Sequence, residues 1–313
     1  MIANETGGVS VESKKLIINF APTGMVPMKS DNAHVPLTPA EIADDCRQCC
    51  ALGASILHLH ARDTDGKPTW KPEVYREIIL RVREVCPDAV ICVSTSGRSF
   101  NQFEYRSAVL DLEGDAKPEM ASLTLGSLNF PKQASVNDPE MIRALATKMI
   151  ERGIVPEMEV FDMGMLDFGK FLIDRQIITG PLYTNLLLGN LGTLTATPMN
   201  LALLVANAPP EMIWAATGIG RFQYQMHALA IASGGHVRVG LEDNLCLDTA
   251  KRTPARNADL IERVLRLAEA CGRPIATPEE TRRIIGLKPR ASTPQPAPES
   301  VAALASALQV GAR

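Results

Sequence analysis

The stretch Ser55-Ile56-Leu57-His58-Leu59-His60 is a short apolar run, and the longer amphipathic stretch 71–86 follows it. Runs of the first kind are typical of buried strands, and stretches of the second kind are typical of helices that cover a sheet. This pairing occurs eight times along the chain, which favours a parallel sheet wrapped by helices. The predicted strands are Leu16–Ala21, Ser55–His60, Ala89–Ser94, Glu119–Leu123, Ile154–Val160, Leu182–Leu188, Met212–Thr217 and Gly235–Val239.

A predicted helix follows each of these strands. Thr38 and Pro39 form an N-cap with proline at the first helical position, and Gly53, Gly153 and Gly272 stand where C-caps belong. The predicted helices are Pro39–Leu52, Lys71–Cys86, Gln102–Leu112, Asp138–Arg152, Gly164–Gln176, Pro198–Ala206, Phe222–Ala232 and Asn257–Cys271.

Eight strand–helix units predict an α/β fold of the (β/α)8 TIM barrel type with one catalytic domain. A doubly wound nucleotide-binding sheet would place G-x-G-x-x-G after its first strand, whereas Pro22-Thr23-Gly24-Met25 follows here. We therefore expect an N-terminal extension at 1–15, the barrel at 16–287, and a Pro/Ala-rich linker and docking tail at 288–313, which includes a short apolar helix.

The composition of the chain argues against several classes of protein. The 313 residues carry a net charge of −3, so no basic surface predicts binding to nucleic acid or anionic lipid. No apolar run approaches the roughly 18 to 20 residues of a membrane span. Seven cysteines form no paired framework, and the polar start lacks the pattern of a secretory signal. We expect a cytoplasmic protein with a small-molecule partner.

The most informative residues are His58 and His60. Side chains two apart on a strand share a face, and both lie at the C-terminal rim of the predicted barrel, where active sites form. Such a pair suits Zn²⁺, with Glu242 after the eighth strand as the third ligand, although two hydrogen-bonded buried histidines are the alternative. Co²⁺ and Mn²⁺ also accept this ligand set. His34 is an outside candidate.

Arg238 shares strand parity with Glu242 and is predicted to point into the barrel. A charge there needs a partner, and Glu159 at the end of the fifth strand is a candidate. One interpretation makes Asp243 a general base that Arg238 and Glu159 hold in place. The alternative is an ion-pair network that only stabilises the rim.

Hydroxyl groups and glycines mark two further parts of the rim. Ser94, Ser122 and Thr124 follow or end the third and fourth strands, and Arg98 adds a planar cation for a carboxylate, although hydroxyl clusters are also common in turns. The loop that contains Gly218, Gly220 and Arg221 is typical either of a phosphate site or of a tight turn.

Several ordered segments resemble the beta-keto acid cleavage enzyme family from about residue 16 to 287. These segments are Thr23-Gly24, His58-Leu59-His60, Lys117-Pro118-Glu119-Met120-Ala121, Leu128-Asn129-Phe130, Pro156-Glu157-Met158-Glu159-Val160, Gly218-Ile219-Gly220-Arg221, Gly234-Gly235-His236-Val237-Arg238 and Glu242-Asp243-Asn244.

The resemblance implies a (β/α)8 barrel and a Zn²⁺ that polarises a 3-oxo acid. The matching positions are the metal ligands His58, His60 and Glu242, the catalytic residues Asp243, Arg238 and Glu159, and the substrate-binding Ser94 and Ser122. The implied reaction is a condensation and retro-Claisen exchange, in which a 3-oxo acid and acetyl-CoA give acetoacetate and a new acyl-CoA. A homotetramer is also implied.

One departure concerns the substrate. A member that acts on an aminated 3-oxo acid carries a glutamate for the ammonium group at the position of Val26, where an ammonium would be unpaired. We therefore expect a substrate that has no amino group and has an apolar end. Arg98 could make an additional contact to an anionic group. The competing hypotheses are a metal-dependent hydrolase on a TIM barrel and a non-catalytic metal-binding protein.

Overall fold

The fold is an eight-stranded parallel barrel, seen in a computed structural model that describes residues 15–250 and 252–290. Its strands are β1 (Ile18–Phe20), β2 (Ile56–Leu59), β3 (Val90–Val93), β4 (Met120–Thr124), β7 (Val155–Val160), β8 (Tyr183–Leu188), β9 (Ile213–Gly218) and β10 (His236–Val239), and a separate antiparallel hairpin consists of β5 (Leu128–Asn129) and β6 (Ala134–Ser135). The barrel closes in the order β1-β10-β9-β8-β7-β4-β3-β2. The predicted (β/α)8 TIM barrel is confirmed.

The helices follow the strands as predicted. They are α1 (Pro39–Ala51), α2 (Pro72–Val85), α3 (Phe103–Ser107), α4 (Pro139–Glu151), α5 (Met163–Asp174), α6 (Pro198–Asn207), α7 (Gln223–Ala232), α8 (Asn257–Ala270) and α9 (Pro278–Ile285). The third helix differs from its prediction, because it ends at Ser107 and continues as a tighter 3₁₀ turn over Ala108–Asp111. Among the described residues no helix is both long and apolar enough to cross a bilayer.

Helix α9 was missing from the sequence prediction. Its Ile285 packs with Ile17, Ile56, Met120 and Tyr183, which lie at or next to the N-terminal ends of their strands, in an apolar cluster distinct from the main core. The helix therefore covers the lower end of the barrel. The signal that could have revealed it is the reciprocal capping box at its start, where the threonine at 277 and the glutamate at 280 bind each other's backbone N–H groups.

The proposed N-terminal extension and the docking tail lie almost entirely outside the described residues, which leave out 1–14 and 291–313. Those two predictions therefore stay predictions. The barrel and α9 together end at Ile285, close to the expected domain limit at 287.

Candidate active site

A cavity of about 480 Å³ lies at the C-terminal end of the barrel. The hairpin β5–β6 contributes Leu128 and Ser135 to its wall. The sequence analysis did not predict this hairpin. The sequence-predicted site residues that line it are Val26, His60, Ser94, Arg98, Thr124, Glu159, Arg238, Glu242 and Asp243.

Three predicted metal ligands converge here. His58 Nε2 lies 3.1 Å from His60 Nε2, and His60 Nε2 lies 3.2 Å from Glu242 Oε1. His58 Nε2 is 3.8 Å from Glu242 Oε2. His58 lies in β2 and His60 directly follows its last residue, so the alternation of side chains puts both imidazoles on one face. One donor atom from each residue can therefore reach a single cation.

An unpartnered carboxylate oxygen supports the fit of a cation. Glu242 Oε2 is buried without a hydrogen-bond partner, and a buried carboxylate oxygen of this kind is costly unless something binds it. Gly24 lets Glu242 approach, since a Cβ on Gly24 would lie 2.6 Å from Glu242 Cγ. Two imidazoles and one carboxylate form a ligand set that suits Zn²⁺ and leaves coordination positions open.

Glu157 supports this cluster from below and was missed as a functional residue by the sequence analysis. His58 Nδ1 lies 2.5 Å from Glu157 Oε2, and Asn19 donates to Glu157 Oε1 at 2.5 Å. Burial alone would raise the pKa of Glu157, but His58 and Arg238 lower it to about 2. The carboxylate is thus ionised, so Nδ1–H of His58 donates to it. The lone pair on Nε2 is then available to bind a metal. Glu157 lies two residues before Glu159 on the same strand, so its side chain points to the same face, and this spacing could have revealed it.

The two imidazoles differ in their proton affinity. Burial lowers the pKa of His60, which favours the neutral form that a metal binds. Burial also opposes protonation of His58, but the Glu157 carboxylate outweighs it and raises the pKa of His58. A cation at this site therefore competes with a proton at His58 Nε2.

Arg238 joins the cluster to the other predicted catalytic residues. It is buried, and its guanidinium donates to Asp243 Oδ2 at 3.0 Å, to Glu159 Oε1 at 2.9 Å and to Glu242 Oε1 at 2.7 Å. Thr124 Oγ1 donates to the second oxygen of Glu159 at 2.6 Å. The structure thus brings together the whole predicted set of ligands and charged residues.

Asp243 is a carboxyl group whose pKa is raised toward neutral pH. Burial raises the pKa of Asp243 to about 6, with the Glu242 carboxylate acting in the same direction and Arg238 against it. A carboxyl group in this range accepts a proton readily at neutral pH and returns it readily.

The predicted substrate-binding hydroxyls divide into two groups. Ser94 and Thr124 line the cavity, whereas Ser122 does not. The Ser122 hydroxyl accepts the Thr95 backbone N–H at 3.1 Å, so it orders the loop after β3. The predicted fourth strand includes Ser122, but the sequence alone could not show this hydrogen bond.

The cavity wall beyond these hydroxyls is largely apolar. Val26 is 46% exposed and lies beside Met25 and Pro27 in the lining. The Arg98 guanidinium lies 3.4 Å from the ring centroid of Phe130, and its buried Nε has no hydrogen-bond partner.

The glycine loop after β9 has a structural role that is visible in its geometry. A Cβ on Gly218 would lie 2.3 Å from the Phe222 carbonyl oxygen, so the chain can turn this tightly only without a side chain. Within the loop, Ile219 lines the active cavity, and Arg221 lines a neighbouring cleft. Gly220 connects them.

The remaining histidines lie outside the cluster. His236 Nδ1 accepts the Ile17 backbone N–H at 3.0 Å, and His227 Nε2 donates to the Arg238 carbonyl oxygen at 2.7 Å. His34 is exposed and does not belong to the cluster of His58, His60 and Glu242.

Comparisons with known proteins identify the family of this chain. The model of the beta-keto acid cleavage enzyme family matches residues 15–287. The chain is 41% identical to the 3-keto-5-aminohexanoate cleavage enzyme of Acetoanaerobium sticklandii, over 88% of this chain and 99% of that protein. It is 35% identical to the 3-oxoadipate:acetyl-CoA acetyltransferase of Cupriavidus necator, over 87% and 94% of the two chains.

Among solved structures, ObcA in binary complex with oxaloacetate shares the fold, with a TM-score of 0.73 at 22% identity over 81% of this chain and 67% of that one. The family model extends over nearly the whole described barrel. This chain is therefore a member of the beta-keto acid cleavage enzyme family.

Proposed function

We propose that this enzyme catalyses an exchange between a 3-oxo acid and acetyl-CoA that yields acetoacetate and a new acyl-CoA. The observation that carries the proposal is the convergence of His58, His60 and Glu242 with an Arg238-bound Asp243 in one cavity. Acetyl-CoA as co-substrate is supported by the name of the Cupriavidus necator relative.

We propose Zn²⁺ as the ion that His58, His60 and Glu242 hold. A bound Zn²⁺ supplies Lewis-acid polarisation of a carbonyl oxygen, which makes the adjacent C–H more acidic. Co²⁺ and Mn²⁺ accept the same ligands, so metal analysis of the purified protein has to decide among the three.

Asp243 takes the proton from C2 of the 3-oxo acid, and the electron pair attacks the thioester carbonyl of acetyl-CoA. A C–C bond forms and the CoA thiolate leaves. The thiolate then attacks the original acyl carbonyl, and the bond between that carbonyl and C2 breaks. Asp243 returns its proton to C2, so acetoacetate and the new acyl-CoA account for every atom of the two reactants.

The neighbouring residues position these groups. Arg238 fixes the Asp243 carboxylate at 3.0 Å, and Glu159 holds the opposite end of the guanidinium. Ser94 and Thr124 present hydroxyls for the substrate carboxylate or carbonyl. Ser122 supports this wall through its hydrogen bond to Thr95.

The cavity wall sets the substrate class. Val26 offers no counter-ion to an ammonium group, and the apolar side chains near it favour a 3-oxo acid with an apolar end. The Arg98 guanidinium can make an additional contact to an anionic group in the same cavity.

The test is acetyl-CoA-dependent formation of acetoacetate across 3-oxo acids with alkyl, hydroxyl, carboxylate and amino ends. We expect activity on alkyl substrates that His58→Ala and Asp243→Asn abolish, with zinc lost only in the first variant. An amino-ended substrate as the best one would refute the argument from Val26. A metal-loaded protein that is silent on the whole panel would refute the proposed reaction and favour a hydrolase or a binding protein.

We further propose a cytoplasmic homotetramer, and that the loop around Gly218, Gly220 and Arg221 contributes to binding of the co-substrate. Light scattering after size-exclusion chromatography tests the assembly, and cell fractionation tests the location.

A further inference from the structure

A second cleft lies beside the active cavity, with a volume of about 350 Å³. Arg221, Arg263 and Arg266 line it, together with Tyr224. We propose that this cleft binds the nucleotide end of the acyl-CoA, with the arginines on its phosphates and the ring of Tyr224 against its adenine. The inference rests on the proposed function, because it assigns a binding site to the co-substrate of that reaction.

The cleft carries an excess of positive charge. Its one lining carboxylate, Asp248, already accepts the backbone N–H groups of Arg252 and Thr253. The nearest carboxylate to Arg266 is Glu262 at 3.9 Å, and both side chains are more than half exposed, so this pair is weak. Within the described residues no carboxylate lies within 4 Å of the guanidinium of Arg221 or Arg263. Unneutralised arginines of this kind favour phosphate.

Arg263 is held in place by neutral groups. It donates to the Leu247 carbonyl oxygen at 3.0 Å and to Gln223 Oε1 at 3.1 Å, and its guanidinium lies 5.3 Å from the ring centroid of Tyr224. Its buried Nε has no partner. The side chain is therefore fixed while its charge stays available, which lowers the entropy cost of binding an anion.

Tyr224 is 45% exposed and lines the cleft, so its ring is accessible to a ligand there. A flat ring beside fixed arginines matches the two parts of an adenine nucleotide, because the base stacks on an aromatic face and the phosphates bind the guanidinium groups. A free phosphate or a simple carboxylate would use only the arginines.

The position of the cleft suits a ligand that also enters the active cavity. Ile219 and Asp243 line the cavity, whereas Arg221 and Asn244, one or two residues further along the same two loops, line the cleft. The Gly220 N–H donates to the Asp243 carbonyl oxygen at 2.7 Å and ties these loops together. Loops after the seventh and eighth strands are also where barrels of this type often bind phosphate.

The test compares acetyl-CoA with acetyl-pantetheine, a thioester that lacks the nucleotide. In Arg263→Gln, Arg266→Gln and Arg221→Gln we expect the KM for acetyl-CoA to rise roughly tenfold each, since charge-assisted hydrogen bonds are strong, with kcat nearly unchanged. The KM for acetyl-pantetheine should not respond. Arg143→Gln on the exposed face of α4 is the matched control.

Direct binding separates this inference from the proposed reaction. Calorimetry with CoA and with adenosine 3′,5′-bisphosphate should show binding that the cleft variants weaken, even if no acyl exchange occurs, and only the proposed reaction would then fail. Acyl exchange with equal KM values for both thioesters would overturn the cleft and leave the reaction intact. So would a KM for acetyl-CoA that rises in Arg98→Gln while the cleft variants behave as wild type.

Discussion

Replacing Glu157 by Gln should weaken cation binding at the proposed metal site, although Glu157 is not one of the proposed ligands. Glu157 is fully buried, accepts from His58 Nδ1 at 2.5 Å and accepts from Asn19 on its other oxygen. A glutamine that keeps its oxygen toward His58 points its NH₂ at Asn19, whose amide has to turn so that its unpartnered oxygen accepts, and the negative charge that favours Nδ1–H of His58 is lost. The flipped amide donates to His58 Nδ1 instead, which forces the proton onto the nitrogen that should bind the metal.

Both orientations of the amide therefore cost binding energy. Residues that orient a metal-bound histidine typically change metal affinity by about 10- to 100-fold when they are mutated. We expect a loss in this range for Zn²⁺, which corresponds to about 1.4 to 2.7 kcal/mol. Because Glu157 and His58 are buried, solvent screening does not reduce this effect.

The assay is competition for Zn²⁺ between the apoprotein and a chelator of known affinity. Glu140→Gln, at an exposed position near the start of α4, is the control for loss of one negative charge. Chemical denaturation of the metal-free proteins shows whether the variant is folded. A folded Glu157→Gln protein with wild-type zinc affinity would refute the argument that this carboxylate orients His58.

Three further changes test other parts of the structure. Gly24→Ala should lower zinc affinity in the chelator assay, because its Cβ would lie 2.6 Å from Glu242 Cγ. Gly153→Ala is the control, since Gly153 has the same φ of 66° but no atom within 4 Å of the added Cβ, and this variant should lower only the free energy of unfolding. Burial lowers the pKa of His227 to about 3, so as pH falls below about 6.5 the unfolded chain takes up this proton first and the folded state loses stability. Denaturation curves should show wild type losing about 2 kcal/mol more than His227→Gln between pH 7.5 and 5, and equal losses would contradict this account. Ile285→Ala should cost about 2–5 kcal/mol in urea denaturation without changing zinc affinity, because the cavity it leaves is at the opposite end of the barrel.

Local periodicity was enough to predict the barrel and to place several of the candidate site residues together at one end of it. The alternation along the predicted second strand placed His58 and His60 on one face, and the same rule linked Arg238 with Glu242 along the eighth strand and the loop after it. These inferences needed only the direction of successive side chains. The closure of the barrel then brought the second and eighth strands close enough for the ligands to meet.

The missed features depend on distances between strands that a sequence does not contain. Glu157 has the parity of Glu159, but its role follows from its depth in the barrel, where it lies opposite His58 and Asn19. Similarly, Ser122 has the expected strand position, yet its hydroxyl binds a backbone N–H of the loop after β3. Register across the barrel decides both cases, and no local pattern specifies it.

The charge balance of the site gives an independent reason for a divalent cation. Four carboxylates, those of Glu157, Glu159, Glu242 and Asp243, lie within 4.0 Å of the Arg238 guanidinium, which supplies a single positive charge. With every carboxylate ionised and both histidines neutral, the excess is three negative charges in a largely buried space, where such an excess is strongly unfavourable. A dication beside Glu242 would compensate two of these charges and leave one, which agrees with the raised pKa of Asp243, the carboxylate that takes up a proton in the proposed reaction. The carboxylates that pair with Arg238 therefore also favour a bound divalent cation.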